Sequence, residues 1–318
     1  MSTYLTIGAD PEFFLETTKK GTIVPSQGRV PGTKSEPYKV GGGFAVLRDN
    51  VAAEYNIPPA ATWIDFQNYI LNGQQAVMDS IHYSKRKNIR ISTKSSALIN
   101  SKHLDNEEAL NFGCEPDFNA WSVSENVIDR ESVDPRFRCA GGHVHVGYIP
   151  KYSDINPLSL VRYMDLFLGI PAVFLDKDTD RRKLYGKAGS YRPTAYGIQY
   201  RTLSNFWIHA PKYVKFVWDS TISAIKHARQ NEPIQPDSEL GYNIQEAINK
   251  SDPELAAEVL KLANLTMVEK NGSILVCYPR EAQDDFLSYR NTKSYELTKQ
   301  YVTWSTNISQ VATASTAV

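Results

Sequence analysis

Alternating apolar and polar positions mark the first 60 residues as strands and turns. Tyr4 to Ile7 alternates, Phe13 to Glu16 continues an extended pattern, and Phe44 to Leu47 and Val51 to Tyr55 follow. Gly21, Pro25, Gly28, Pro31 and Gly32 punctuate a loop, Gly41-Gly42-Gly43 makes a second turn, and Pro58-Pro59 stops the last strand. The period then changes. Trp63, Phe66, Ile70, Val77 and Ile81 fall on one helical face, behind Thr62 as N-cap, and predict a helix to about Lys87. Ile89 to Ile91 and Ser96 to Ile99 read as extended, and Glu107 to Arg138 as irregular. His143 to Tyr148 and Ile198 to Leu203 are strands. Asn156-Pro157 opens a helix that Gly169-Ile170-Pro171 is expected to kink, ending near Asp176. Helical periodicity dominates from Pro211 to about Leu265, with breaks near Pro233, Pro236 and Pro253. A last helix is expected near Glu296 to Trp304, before a polar tail.

These elements make an α+β chain. The 318 residues show no long linker or low-complexity block, so one domain spanning 1–318 is expected, helical from about residue 211. Leu158 to Leu175 is apolar but interrupted by Arg162 and Asp165, which reads as a buried helix and not a membrane span. The first ten residues do not read as a signal peptide. Three scattered cysteines, Cys114, Cys139 and Cys277, give no disulfide framework and no Cys-x-x-Cys site, so a cytoplasmic protein is expected. Thirty-five basic residues balance 35 acidic ones. Total charge therefore gives no support to nucleic-acid or membrane-surface binding, and any anion site must be local.

Chemistry concentrates where side chains recur at i and i+2, the spacing that puts both on one face of a strand. His143 and His145 stand this way in Gly141-Gly142-His143-Val144-His145-Val146-Gly147 and hold two of the chain's six histidines. Neutral imidazole is a common metal ligand. Asp10 and Glu12 flank Pro11, which confines them to a strand start or an edge. Glu54 is a lone acid among small apolar residues. Glu115-Pro116-Asp117-Phe118 echoes Asp10-Pro11-Glu12-Phe13, and its acids are further candidates. Aligned carboxylates suit a hard cation such as magnesium. From Arg181 to Arg201 six basic residues and no acid occupy 21 positions, a local charge of +6. With Gly186 and Gly189 for flexibility, the stretch predicts a loop that cradles a small polyphosphate. Gln199 and Arg201 share a face at its end. No P-loop, dinucleotide fingerprint or Gly-x-Ser-x-Gly elbow is present, so bound ATP would lie on a sheet with metal.

Gly8 to Phe13, Glu54, the Gly-Gly-His-Val-His-Val-Gly segment, Tyr185-Gly186 to Arg192, and Gly197-Ile198-Gln199-Tyr200-Arg201 follow in that order. Together they resemble the phage-type carboxylate–amine ligases (type 2) of the glutamine synthetase-like superfamily. The resemblance implies a curved antiparallel sheet, an open half-barrel backed by helices, that binds ATP and Mg2+ on its concave face. It implies an enzyme that phosphorylates a small-molecule or peptide carboxylate and lets an amine displace the phosphate. By position, Glu12, Asp10, Glu54, His143 and Asp117 would hold metal, with Glu115 less strongly indicated. His145, Gln199, Arg182, Lys187 and Arg192 would contact the nucleotide, and Arg192, Arg201 and Glu54 would serve catalysis. A homo-oligomer is also implied as an option. One departure stands out: related enzymes generally carry an acid where this chain has Gln199. Three other readings remain open at this point: a guanidino kinase-like phosphotransferase, a non-catalytic nucleotide- or metal-binding viral protein, and a His-x-His metal hydrolase.

Overall fold

The computed structural model describes residues 5–83, 88–104, 117–127, 129, 131–148, 153–270 and 273–279. Cys114, Glu115 and the helix expected at Glu296 to Trp304 lie outside them. Two antiparallel sheets carry the chemistry. The larger has six strands: β1 (Thr6–Ala9), β10 (Phe118–Asn119), β11 (Ser124–Glu125), β13 (Val144–Gly147), β14 (Ser190–Thr194) and β15 (Gly197–Tyr200). Their spatial order is β1-β13-β15-β14-β10-β11. The second runs β2 (Glu12–Phe13), β7 (Ala52–Asn56), β6 (Phe44–Asp49), β5 (Tyr38–Gly41). Neither is closed into a barrel.

Asp10-Pro11 is the crossing between these sheets. Pro11 has no N–H to give to a ladder, so the chain leaves β1 there and enters β2. The main chain stays hydrogen-bonded through the step: Ile57 N donates to Ala9 O at 3.1 Å, Tyr55 N to Pro11 O at 3.3 Å and Glu12 N to Gly141 O at 2.8 Å. Three smaller antiparallel sheets complete the β structure among the described residues. One holds β3 (Leu15–Thr17), β4 (Ile23–Val24) and β8 (Ile89–Ile91). The others are the pair β9 (Ser96–Leu98) with β12 (Phe137–Cys139) and the hairpin of β16 (Thr266–Lys270) and β17 (Ser273–Cys277).

Five helices are described. α1 (Trp63–Tyr83) begins at Thr62 as expected: its Oγ1 accepts from Asp65 N at 3.2 Å and donates to Asp65 Oδ2 at 2.7 Å. Phe66, Ile70, Val77 and Ile81 are fully buried on its inner face, against β1, β6 and β7. α2 (Pro157–Leu175) begins at the expected cap, Asn156, whose Oδ1 accepts from Leu158 N and Ser159 N. Its apolar composition and length would suffice to cross a membrane, but 83% of it is buried within the protein. The kink expected at Gly169 to Pro171 takes the form of a π-helical turn at Asp165–Gly169. Widening the turn accommodates a proline that cannot donate. α3 (Pro211–Gln230), α4 (Glu239–Lys250) and α5 (Pro253–Leu262) fill the expected helical region, with breaks at the predicted prolines. The hairpin β16–β17 follows where the periodicity gave no strand.

Asp165, at the start of the π turn, is fully buried and binds four donors from three segments. Its Oδ2 accepts from Trp121 Nε1 at 2.7 Å and Gly189 N at 2.5 Å. Its Oδ1 accepts from Tyr200 Oη at 2.8 Å and Thr202 Oγ1 at 3.2 Å. Tyr200 and Thr202 flank Arg201, so this carboxylate fixes the strand end that presents the arginine. Burial pushes its pKa up to about 6, against the four donors that favour the ionised form. The folded chain thus holds a proton that the unfolded chain, near 3.8, has released, and stability falls as pH rises from about 4 to about 6. Asp165→Asn is expected to remove that part of the pH slope in urea titrations. Asp165→Ala, which orphans all four donors, is expected to cost on the order of 3–5 kcal/mol.

Candidate active site

Cross-strand register assembles the site. Gly8 pairs with His145, His145 with Gln199, and Gln199 with Arg192, so one row of side chains crosses four strands on one face. His143 and Arg201, two residues from His145 and Gln199, extend that face. The rows to either side, Val144 with Tyr200 and Val146 with Ile198, are fully buried on the other face. The i, i+2 spacing seen in the sequence therefore acts as expected. Two glycines make room for it. A Cβ on Gly141 would stand 2.3 Å from His143 Nε2, and one on Gly142 would meet Ser204 O and Trp207 Nε1 at 2.3 Å each. Trp207 Nε1 also donates to Gly142 O at 3.0 Å, and Asn205 Nδ2 to Glu12 O at 2.9 Å, which clamps both motifs to the turn after Arg201.

The second sheet supplies carboxylates. Glu12 and Glu54 stand directly opposite each other on β2 and β7. Asp49 pairs with Ala52 in the next hairpin, two positions from Glu54, and so faces the same side. One oxygen from each of Glu12, Asp49 and Glu54 lies within 4.8 Å of the others. Glu54 is 6% exposed and makes no hydrogen bond or ion pair among the described residues. Burial pushes its pKa well up, and the charges of Asp10, Asp49 and Glu12 push it further. Burial likewise raises Glu12 to about 7, assisted by Asp49 and opposed by Lys34 and the hydrogen bond from Gly141 N to Glu12 Oε2 at 2.7 Å. A buried carboxylate without a donor, facing two more, fits a hard divalent cation. Lys34 Nζ sits 2.9 Å from Asp49 Oδ2, half-exposed, as a tethered positive charge at the mouth of this cluster. Asp49 and Lys34 were not evident from the sequence. The signal for Asp49 was its place just before a two-residue hairpin turn, Asn50-Val51, that carries it back beside Glu54.

The remaining candidates gather around Asp10. His145 Nε2 lies 2.9 Å and His143 Nδ1 3.3 Å from Asp10 Oδ1, and His143 Nδ1 is 4.0 Å from Glu12 Oε1. Burial and then the nearby Arg201 charge hold His143 down at about 3, so its ring is neutral, the form that can ligate. Burial works to raise Asp10, but His145 and His143 outweigh it and leave the carboxyl below its usual value. Tyr196 Oη is 2.8 Å from His145 Nδ1, with the two rings stacked. Gln199 Nε2 donates to Asp10 Oδ2 at 2.6 Å, and Arg201 Nη1 donates to Gln199 Oε1 at 2.9 Å. Arg201 Nε is 3.6 Å from Asp117 Oδ2.

A cavity joins the two clusters. Glu12, Asp49, Asp117, His143 and Arg201 line it, together with Arg138, Arg181 and Tyr185. The basic stretch does not form one flexible cradle. Its second half is the hairpin β14–β15, and its glycines are closely packed: a Cβ on Gly186 would lie 1.9 Å from Arg181 Nη1. Arg181 donates to the carbonyls of Thr202 and Arg201 at 3.0 and 3.2 Å. Arg182 Nη1 instead reaches Ser251 Oγ at 2.8 Å, Lys183 pairs with Asp180, and Lys187 is exposed. Of the six basic residues, Arg181 and Arg201 line the cavity, and Arg192 lies in the row beside Gln199.

Residues 133–276 match the model of the phage phiEco32-like COOH.NH2 ligase-type 2 family. The match supports a carboxylate–amine ligase. It takes in His143, His145, Arg192, Gln199 and Arg201, while the acids of the site lie before it. No curated protein gives a significant match to the chain.

If the three carboxylates are a cation site, removing charge from it acts in opposite directions by sign. Asp49→Asn is expected to weaken Mn2+ binding roughly tenfold or more, and Lys34→Met to strengthen it, both read by titration calorimetry at one pH.

Proposed function

We propose that this chain is an ATP-dependent carboxylate–amine ligase with a glutamine synthetase-like active sheet. The observation that carries the reading is one cavity lined by Glu12 and Asp49 of the carboxylate cluster together with the histidine and arginine, His143 and Arg201, that the ligase-family match includes. A carboxylate oxygen of one substrate attacks the γ-phosphorus of ATP, and ADP leaves with the bridging oxygen's electron pair. The amine of the second substrate then attacks the acyl carbon, loses a proton, and releases phosphate. The product is an amide.

Each part of the site has a task in this sequence. Two anions must approach each other, and positive charge must offset their repulsion. Glu12, Asp49 and Glu54 would hold Mg2+, which supplies charge neutralisation on the phosphates when bound. Arg201 donates to Gln199 Oε1 and lies 3.6 Å from Asp117 Oδ2, contacts that orient its guanidinium at the cavity wall. His143 is neutral, buried and placed between Asp10 and Glu12, where it can contribute a nitrogen ligand. The walls around it shield an acyl phosphate from water.

The test is amine-dependent ADP release with ATP, Mg2+ and pooled amino acids or peptides, with hydroxylamine added to trap the acyl phosphate as a hydroxamate. Arg201→Ala is expected to lower turnover about 10³-fold, while Lys183→Ala, outside the cavity, retains it. A stable phosphorylated guanidine with no hydroxamate would replace this reading with a phosphotransferase. ATP turnover indifferent to Arg201→Ala would end it.

A further inference from the structure

Two groups of ligand-type residues share this site, but they are not in the same condition. Glu54 is buried without a donor beside Glu12 and Asp49. Asp10, in contrast, has a protein donor on Oδ2, while its buried Oδ1 lies beside two imidazoles without making a hydrogen bond. Its Oδ2 faces the Gln199 amide at 2.6 Å, and its Oδ1 faces His145 Nε2 at 2.9 Å and His143 Nδ1 at 3.3 Å. Gln199 Nε2 is also 3.2 Å from His145 Nε2.

The orientation of the Gln199 amide follows from its neighbours. Turned over, it would set Oε1 against the Asp10 carboxylate and its NH2 against the Arg201 guanidinium, two repulsive contacts in place of two hydrogen bonds. The NH2 therefore points to the space between Asp10 and His145. That is the position from which a cation would touch Asp10, His145 and residue 199 at once. Gln199 is 5% exposed, so it has no solvent-facing alternative.

We infer that the Gln199 amide closes the Asp10–His145 corner to divalent cations, and that this chain binds its metal on the other side, at the Glu12–Asp49–Glu54 carboxylates. The inference deepens the ligase reading, which needs a divalent cation, and assigns one corner of the expected metal site to a hydrogen-bonded amide. A carboxylate at position 199 would reverse the situation. Two carboxylates would then face each other across about the same gap, beside an imidazole, and a cation would be the natural bridge.

Mn2+ stoichiometry, counted by electron paramagnetic resonance on the full chain, tests this. Gln199→Glu is expected to bind one more ion than the wild type and to gain thermal stability on Mn2+ addition. The wild-type count is expected to survive His145→Ala and to fall with Glu54→Gln. The exchange Asp10→Asn with Gln199→Glu restores an amide facing a carboxylate and is expected to return the count to that of the wild type, which separates the metal effect from misfolding. An unchanged count in Gln199→Glu that folds, or a count lowered by His145→Ala in the wild type, overturns the inference. If the wild type binds no ion but Gln199→Glu binds one, the closed corner stands, and it is the cation role of Glu12, Asp49 and Glu54 that fails.

Discussion

Glu12 and Glu54 face each other across paired strands, and Asp49 closes the triangle from the next hairpin. Like charges placed directly opposite on a sheet repel, and burial adds the cost of lost hydration. The fold must hold β2, β6 and β7 together against that force. It does so with a mainly apolar reverse side, on which Arg48 is the charged exception: Phe13, Val46, Ala53 and Tyr55 are fully buried, and α1 packs over them with Phe66, Ile70, Val77 and Ile81. The carboxylates are thus held in place chiefly by packing on the reverse face. A site stabilised in this way is set up before any ligand arrives, which lets a cation bind without first ordering its ligands.

The other half of the site is held by a different means. Asp165 gathers the Trp121 indole, the Gly189 amide and the hydroxyls of Tyr200 and Thr202, each a hydrogen bond to one buried carboxylate. Arg201 lies between two of those anchors and reaches the opposite face. The same strand therefore spends one face on structure and the other on chemistry. Asp117 is linked into this arrangement because Phe118 and Asn119, which follow it, pair with Tyr191 and Ser190.

This division explains what could be read from the sequence. The period-two segments Gly141 to Gly147 and Gly197 to Arg201 disclosed which side chains share a face, because strand geometry is local and alternation encodes it directly. The helices α1 to α5 were legible for the same reason, through caps at Thr62 and Asn156 and breaks at proline. Asp49 was not legible, since its role depends on a hairpin register set by Asn50 in the left-handed region. Lys34 was not legible either. It reaches the site from a loop whose path depends on the whole of the second sheet. The basic stretch misled most: its acid-free run suggested a single phosphate cradle, but charge along a chain says nothing of direction. Arg181 and Arg182 are adjacent and point to different places, one toward the carbonyls beside Arg201 and the other toward Ser251.

Gln199 shows how an apparent loss can be a structural gain. Read along the chain, an amide where an acid is expected weakens a metal site. In the folded protein the same amide donates to one oxygen of Asp10 on one side and accepts from one nitrogen of Arg201 on the other, and both are charged groups with little access to water. A hydrogen bond to a charged partner is among the stronger neutral contributions a side chain can make. It also couples the two halves of the site, because any movement of Arg201 must draw on Gln199, and through it on Asp10 and His145. In a site with a cation at that corner, the link would run through an ion that can leave. Here the contact from Arg201 to Asp10 runs through a covalently tethered amide.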